Sequence, residues 1–191
     1  YDQTVRRWRL FEPTCNDGVE GIIPSVQLIS VAHLKAGQKG IQALERELEH
    51  FLPDCLDPAG AETSMEHDRL PRHVTMGDTP MTLGGGRVSN RVVYAIPWSR
   101  NTVDARRVGS IPFNGRQVPL VVHLPAETIT GSSQAVDHSL LKDRIVVIGG
   151  SYFASGDYHN TPMGVMPGAL VLINSIHSLL QYGHLKEPPV W

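Results

Sequence analysis

The chain has 191 residues, of which 41% are hydrophobic and 19% charged, and its formal net charge is −2 at pH 7. This composition is that of a globular domain and excludes an intrinsically disordered segment, and the near-neutral charge excludes a broadly basic nucleic-acid-binding surface. The length favours a single domain over residues 1–191, and the sequence contains no run of 18 apolar residues that would span a bilayer.

The N-terminal stretch RRWR contains three clustered arginines, Arg6, Arg7 and Arg9. A cluster of this kind is typical of a solvated face or of the end of a segment, and we interpret it so. The chain begins at Tyr1 without a methionine and shows no signal peptide. We therefore expect it to be a fragment of a longer protein.

The two cysteines, Cys15 and Cys55, are too few for a four-cysteine zinc site and lack the spacing of a C-x-x-C redox pair. In an exported protein they could pair, and closing a loop of this length would stabilise the fold by roughly 4 kcal/mol in the chain-entropy model. In a cytosolic protein two free thiols are expected instead. At this point both alternatives stay open.

Residues 26–53 carry the first signals of regular structure. The short, β-branched stretch VQLISVAHL at 26–34 predicts a strand. The following stretch predicts an amphipathic helix that Pro53 ends, because apolar residues recur at helical spacing at Ile41, Leu44, Leu48 and Phe51.

Residues 56–90 are rich in glycine, proline and polar residues, lack any lasting period, and include three consecutive glycines at 84–86. This pattern predicts a flexible loop. The loop contains His67, Asp68 and His73, but their spacing matches no ligand motif, so we predict no metal site.

The remaining sequence predicts strands and one helix. Residues 91–98 predict a strand, and 109–124 predict a hairpin with its turn at Asn114-Gly115. The apolar run at 145–148 predicts a strand buried on both faces, as in a parallel sheet. Residues 169–180 predict a helix with a broad apolar face, capped by Gly183. The fold class is therefore α/β or α+β, a mixed sheet with a C-terminal strand–loop–helix unit and helices packed on it.

The loop between the last strand and the last helix carries the candidate ligand-binding residues, which are Gly149, Gly150, Ser151, Asp157, His159 and Asn160. Its glycine spacing differs from that of a dinucleotide fingerprint, and it lacks the lysine of a phosphate-binding P-loop. A serine hydrolase using Ser151 and His159, with Asp157 beside them, is an alternative, although Ser151 lacks the G-x-S-x-G elbow. Turn formation also accounts for these residues, because glycines at a strand end can take positive φ and Asp157 and Asn160 can bond their own backbone.

Residues 141–185 resemble the C-terminal signature of the CHASE type-two sensor domain. The matching features follow in the family's order as Ile148-Gly149, Asp157, Thr161-Pro162, Pro167-Gly168 and Leu179-Leu180. The opening stretch YDQTVRRWR is also similar to the beginning of that family.

The resemblance implies an extracytoplasmic, periplasmic sensory domain of a bacterial inner-membrane receptor, between an N-terminal membrane helix and a C-terminal group of them. The output domains of such receptors are adenylate cyclases, diguanylate cyclases, histidine kinases or protein kinases. The resemblance implies a small-molecule ligand of unknown identity, no enzymatic activity of the domain itself, no cofactor and no nucleic-acid partner. In an α/β fold the ligand would lie at the end of the strand that precedes Gly149, near Asp157, His159 and Asn160.

Two further expectations follow from the resemblance. An extracytoplasmic location favours a disulfide between Cys15 and Cys55. A homodimer is a candidate assembly, and the alternative function is a ligand-free structural or dimerisation module. Exposed apolar area on the helix at 169–180 would indicate that alternative.

Overall fold

The computed structural model describes residues 3–55, 72–76, 79–83, 90–98, 107–113, 115–130, 141–142, 144–150, 156–183 and 185. The chain divides into two compact units. One comprises Tyr1–Val93 with Leu172–Trp191, and the other comprises Tyr94–Val171. None of the helices in these ranges has the length and apolar character that a bilayer crossing requires.

In the residues that the structure describes, the first unit contains three antiparallel strand pairs. Its strands are β1 (Arg7–Trp8), β2 (Phe11–Asn16), β3 (Val19–Pro24), β4 (Arg72–Met76), β5 (Thr79–Leu83) and β6 (Asn90–Arg91). The pairs are β1 with β6, β2 with β3 and β4 with β5.

The β4–β5 pair lies within the segment that the sequence predicts to be a flexible loop. Met76 pairs with Thr79, which leaves Gly77 and Asp78 between the strands, and a two-residue Gly-Asp connection is a hairpin signal. Residues 56–71 and 84–89 lie outside the described residues, so their flexibility stays a prediction.

Helix α1 (Val26–Leu48) begins where the sequence predicts a strand, and that prediction is wrong. Ser25 caps the helix, because its side-chain oxygen accepts a hydrogen bond from the Leu28 N–H at 3.3 Å. Leu28, Val31 and Ala32 then recur at helical spacing and are fully buried. A short apolar run is compatible with either structure, and here the cap and the buried face stabilise the helix.

The predicted amphipathic helix is confirmed as the second half of α1. Ala36 and Gly37 interrupt the helix, and Gly37 has φ 59° and ψ −142°, a backbone conformation that essentially only glycine adopts. After this kink the helix continues to Leu48 and ends in a 3₁₀ turn at Glu49–Phe51, before Pro53.

The core of this unit lies between α1 and the C-terminal helix α3 (Gly168–Tyr182). The prediction of a helix at 169–180 is confirmed, and Gly183 follows it with φ 62° and donates its N–H to the Leu179 carbonyl at 3.0 Å. The buried core residues are Leu10, Leu28, Val31, Ala32, Leu44, Leu48, Ile176 and Leu179. Each buried leucine or isoleucine contributes about 1.5–3 kcal/mol relative to exposure.

A disulfide joins Cys15, near the end of β2, to Cys55, which follows the 3₁₀ turn, with 5.7 Å between the two Cα atoms. The rings of Phe11 and Phe51 also contact each other, with their centroids 4.9 Å apart. The disulfide and the aromatic pair both connect the β2–β3 hairpin to the end of α1.

The described part of the second unit contains two antiparallel hairpins. The first pairs β7 (Arg107–Phe113) with β8 (Arg116–Val122), which confirms the hairpin predicted at 109–124, and the short helix α2 (Ala126–Thr130) follows it. The second pairs β9 (Tyr158–Thr161) with β10 (Gly164–Pro167).

Two strand predictions are wrong. Of the strand predicted at 91–98, only Arg91 lies in a strand, as the second residue of β6, and residues 92–98 form neither helix nor strand. The run at 145–148 is not a buried parallel strand. Val146 and Ile148 are exposed, Ile148 by 94%, and every strand pair in the described ranges is antiparallel. The predicted fold class, a mixture of helices and β structure with helices packed on it, is confirmed.

Candidate functional site

The Thr-Pro motif forms the turn of the β9–β10 hairpin. The Thr161 hydroxyl donates to the Gly164 carbonyl at 2.6 Å and accepts from the Met163 N–H at 3.2 Å. Pro162 occupies the second turn position and Gly164, with φ 96°, the fourth, as turn statistics favour. Thr161 is also buried. The motif therefore forms an ordered hairpin turn in a region that the sequence predicts to be a loop.

Strand β10 leads directly into α3. Asp157, which precedes β9, lies against Gly168, the first residue of that helix. The Gly168 N–H donates to the Asp157 carbonyl at 3.0 Å. A Cβ atom at position 168 would lie 2.6 Å from Oδ2 and 2.7 Å from Cγ of Asp157, closer than atoms pack. Glycine at position 168 therefore lets the carboxylate approach the helix N-terminus, where a negative charge is favourable.

The Asp157 carboxylate also bonds His159 on β9. Asp157 Oδ1 and His159 Nε2 are 3.0 Å apart, and the two side chains are 46% and 44% exposed. A side-chain pair this accessible contributes under about 1 kcal/mol to stability. Both groups remain accessible to a molecule from solvent.

The predicted glycines serve close packing. A Cβ at Gly149 would lie 2.6 Å from the Ala169 Cβ atom, so the backbone at Gly149 packs against the first turn of α3. Neither Gly149 nor Gly150 has a positive φ. Close approach, and not positive φ, is therefore the physical requirement for glycine at position 149.

The structure thus brings Gly149, Asp157 and His159 to the start of α3. Gly150 is half-buried, and Asn160 is exposed on β9, where it pairs with Val165. Ser151 lies outside the described residues, so the hydrolase alternative stays untested. The parts of the chain that the structure describes hold no group of three His, Cys, Asp or Glu side chains suited to a metal ion.

Sequence reasoning missed Thr161 and Gly168 as residues that build this site. A signal for the first exists, because proline and glycine at the second and fourth positions of Thr161–Gly164 indicate a turn. No local signal indicates that Gly168 faces Asp157, since their proximity depends on the hairpin returning the chain to the helix.

Two titratable groups elsewhere are perturbed by burial. Burial raises the pKa of Tyr94 to about 12, and its buried hydroxyl has no hydrogen-bond partner. Burial lowers the pKa of His177 on α3 from its ordinary value of 6.5, because desolvation disfavours the charged imidazolium. Neither group is among the residues at the start of α3.

Chemically, the start of α3 presents an accessible carboxylate that accepts hydrogen bonds and an imidazole that donates or accepts them. These groups suit hydrogen bonding to a small polar molecule.

Comparison with protein families gives a match to the CHASE2 domain over residues 1–191. Neither the curated proteins nor the solved structures gave a match. The family match covers both compact units and includes Asp157 with the hairpin that follows it and the helix that its carboxylate approaches.

Proposed function

The chain belongs to the CHASE2 domain family, a family of extracellular sensory domains of receptors, and we propose that it detects a small ligand in the periplasm. In this proposal the domain passes its signal through flanking membrane helices to a cytoplasmic cyclase or kinase of the same bacterial receptor. The family match over the whole chain carries the proposal. The sensory character of the family also supports a domain without catalytic activity of its own.

We place the ligand near Asp157, His159 and Asn160, with the backbone of Gly149 and Gly150 beside them. Support comes from the accessibility of the Asp157–His159 pair and from the approach of the Asp157 carboxylate to Gly168, the first residue of α3. A ligand that changes the position of Asp157 acts directly on the first turn of α3. Such a ligand would shift an equilibrium between two arrangements of the helix in proportion to its differential affinity.

Exposed apolar area on α3 would indicate the alternative, a ligand-free structural or dimerisation module. Leu170, Val171, Ile176 and Leu179 are all buried. The apolar face of α3 is therefore used within the domain, and this observation favours ligand sensing.

A thermal-shift screen of the 191-residue chain against small polar metabolites tests the proposal. We expect at least one compound to raise the melting temperature, because a ligand that binds only the folded state stabilises it. Asp157→Asn and His159→Gln should each remove that shift. Asparagine has nearly the same shape as aspartate, so the first variant removes the charge with little change in the packing against Gly168.

Glu127→Gln is the matched control, because Glu127 is an exposed acid on α2. A shift that survives Asp157→Asn and His159→Gln would place the ligand elsewhere. An esterase and phosphatase screen with a Ser151→Ala control addresses the hydrolase alternative, and an activity lost in that variant would overturn the sensory proposal.

A further inference from the structure

The disulfide between Cys15 and Cys55 lies at the surface of the first unit. Cys15 is exposed on β2, and Cys55 is half-buried after the 3₁₀ turn. External thiols break a disulfide only where they can reach it, and exposed disulfides are among the labile, regulatory or catalytic ones. The exposure of Cys15 therefore gives this bond a reactivity that a buried structural disulfide lacks.

The bond holds the exposed tip of the β2–β3 hairpin, residues 15–20, which we call the hairpin tip. Successive side chains of a strand point to opposite faces, so Phe11 and Cys15 share the face of β2 that contacts the end of α1. Phe11 packs against the core and contacts Phe51, whereas every residue of the hairpin tip is exposed. The tip is therefore held by its covalent link to Cys55 and not by burial.

A tight turn closes the hairpin tip. Asp17 and Gly18 occupy the turn with φ 51° and 79°, and Asn16 pairs with Val19 across it. Positive φ at both central residues is typical of a type I′ turn, which favours this hairpin register. A two-stranded hairpin without packing is nevertheless only marginally stable. Loss of the disulfide should therefore leave the hairpin attached at Phe11 and make its tip mobile.

We propose that the Cys15–Cys55 bond is a redox-sensitive switch, which a dithiol opens and the oxidised form of that dithiol closes again. The family consists of extracellular sensory domains of receptors, and disulfides form and persist in extracellular compartments. The redox state of the surroundings then sets the populations of two forms that differ in the freedom of the hairpin tip. The proposal rests on family membership and is independent of the ligand site at Asp157.

The exchange takes place in two steps. A thiolate of the dithiol attacks Sγ of the exposed Cys15, a mixed disulfide forms, and the bond to Cys55 breaks. The Cys55 thiolate that leaves takes up a proton. The second thiolate of the dithiol then attacks the mixed disulfide and closes the disulfide of the reagent, while Cys15 leaves and is protonated. Two electrons and two protons thus pass from the dithiol to the protein.

Reduction of the native 191-residue chain with dithiothreitol tests access to the bond. Free thiols are trapped with iodoacetamide at successive times and counted by mass spectrometry. We expect the native chain to be reduced within about ten-fold of its rate in concentrated urea, because Cys15 is already exposed. A native rate no faster than global unfolding would show that dithiothreitol reaches the bond only in the unfolded chain, and would overturn the proposal.

Two matched single variants test which sulfur is attacked. Cys55→Ser leaves the thiol of Cys15, and Cys15→Ser leaves the thiol of Cys55. Dithiodipyridine, a small uncharged disulfide reagent, should react several-fold faster with Cys15, because Cys15 is the more exposed of the two. Equal rates, or a faster reaction at Cys55, would contradict attack at Cys15.

Backbone order parameters from NMR, measured at a temperature where both forms are folded, test the consequence of reduction. In the hairpin tip they should fall from about 0.85 in the oxidised chain to below about 0.6 in the reduced chain, while those of residues 172–180 should stay near about 0.85. The double variant Cys15→Ser, Cys55→Ser should match the reduced chain and should not respond to dithiothreitol. Unchanged values in the tip, or an equal fall at 172–180, would show that the bond acts only on the stability of the whole fold and would overturn the switch.

Discussion

Replacing Gly168 with alanine tests whether the Asp157 carboxylate is held at the first residue of α3. The new Cβ atom would lie 2.6 Å from Oδ2 and 2.7 Å from Cγ of Asp157, closer than the 3.0 Å below which real Cβ contacts essentially never fall. The carboxylate is the end of a short side chain and can rotate away, whereas the backbone hydrogen bond from Gly168 to the Asp157 carbonyl need not break. The substitution should therefore remove the interactions of the carboxylate and leave the hairpin in place.

The magnitude follows from the interactions that are lost. Loss of a negative charge beside a helix N-terminus costs about 1 kcal/mol, and loss of the half-exposed pair with His159 costs about 0.5 kcal/mol. Alanine restores about 0.5 kcal/mol, because it loses less backbone entropy than glycine on folding. The net loss of about 1 kcal/mol lowers the melting temperature by about 3 °C in a chain of this size.

The assay is thermal unfolding, followed by circular dichroism, of the unmodified chain, Gly168→Ala, Asp157→Ala and the double variant. When Asp157 is already alanine there is no carboxylate to displace, so Gly168→Ala should become stabilising by about 0.5 kcal/mol. The resulting coupling between the two positions is about 1.5 kcal/mol. If Gly168→Ala lowers stability equally in both backgrounds, the reasoning about Asp157 is wrong.

Three further predictions concern the first unit. Replacing Cys15 and Cys55 with serine should cost roughly 4 kcal/mol of unfolding free energy, as measured by urea unfolding, and a loss below about 1 kcal/mol would contradict the chain-entropy estimate. Gln27 is fully buried, and the nitrogen and oxygen of its side-chain amide have no hydrogen-bond partner. Gln27→Met should therefore stabilise the chain by about 1–3 kcal/mol, while Gln27→Glu should destabilise it. A lower melting temperature for Gln27→Met would refute the prediction. Burial lowers the pKa of His177, so the unfolded state binds its proton at higher pH than the folded state. The contribution of His177 to stability should therefore be complete above about pH 6.5 and be lost as pH drops through the folded pKa. In urea unfolding, the free energy of unfolding of His177→Gln should fall less than that of the unmodified chain between about pH 7.5 and about pH 5.

Sequence patterns were sufficient to predict the elements whose signals are local. The apolar spacing from Ile41 to Phe51 and from 169 to 180 predicts two helices, because amphipathic periodicity is a property of neighbouring residues. The Asn-Gly pair predicts the hairpin of β7 and β8 for the same reason. The order of motifs in residues 141–185 was sufficient to identify the family, since a signature of this kind needs no coordinates.

Elements whose signals are ambiguous or non-local depend on packing between distant parts of the chain. The apolar run at 26–34 suits a strand or a helix, and the Ser25 cap with burial against the core makes it a helix. The run at 145–148 suits a buried strand, yet Ile148 is 94% exposed.

The site at the start of α3 shows the same limit. Asp157 is eleven positions before Gly168 in the chain, and only the return of the β9–β10 hairpin brings its carboxylate against that glycine. The opposition of Arg7 and Arg91 likewise depends on a strand pairing between distant segments. Residue types and local periodicity are written in the sequence, whereas close approach between distant segments and the resulting burial are set by how the whole chain packs.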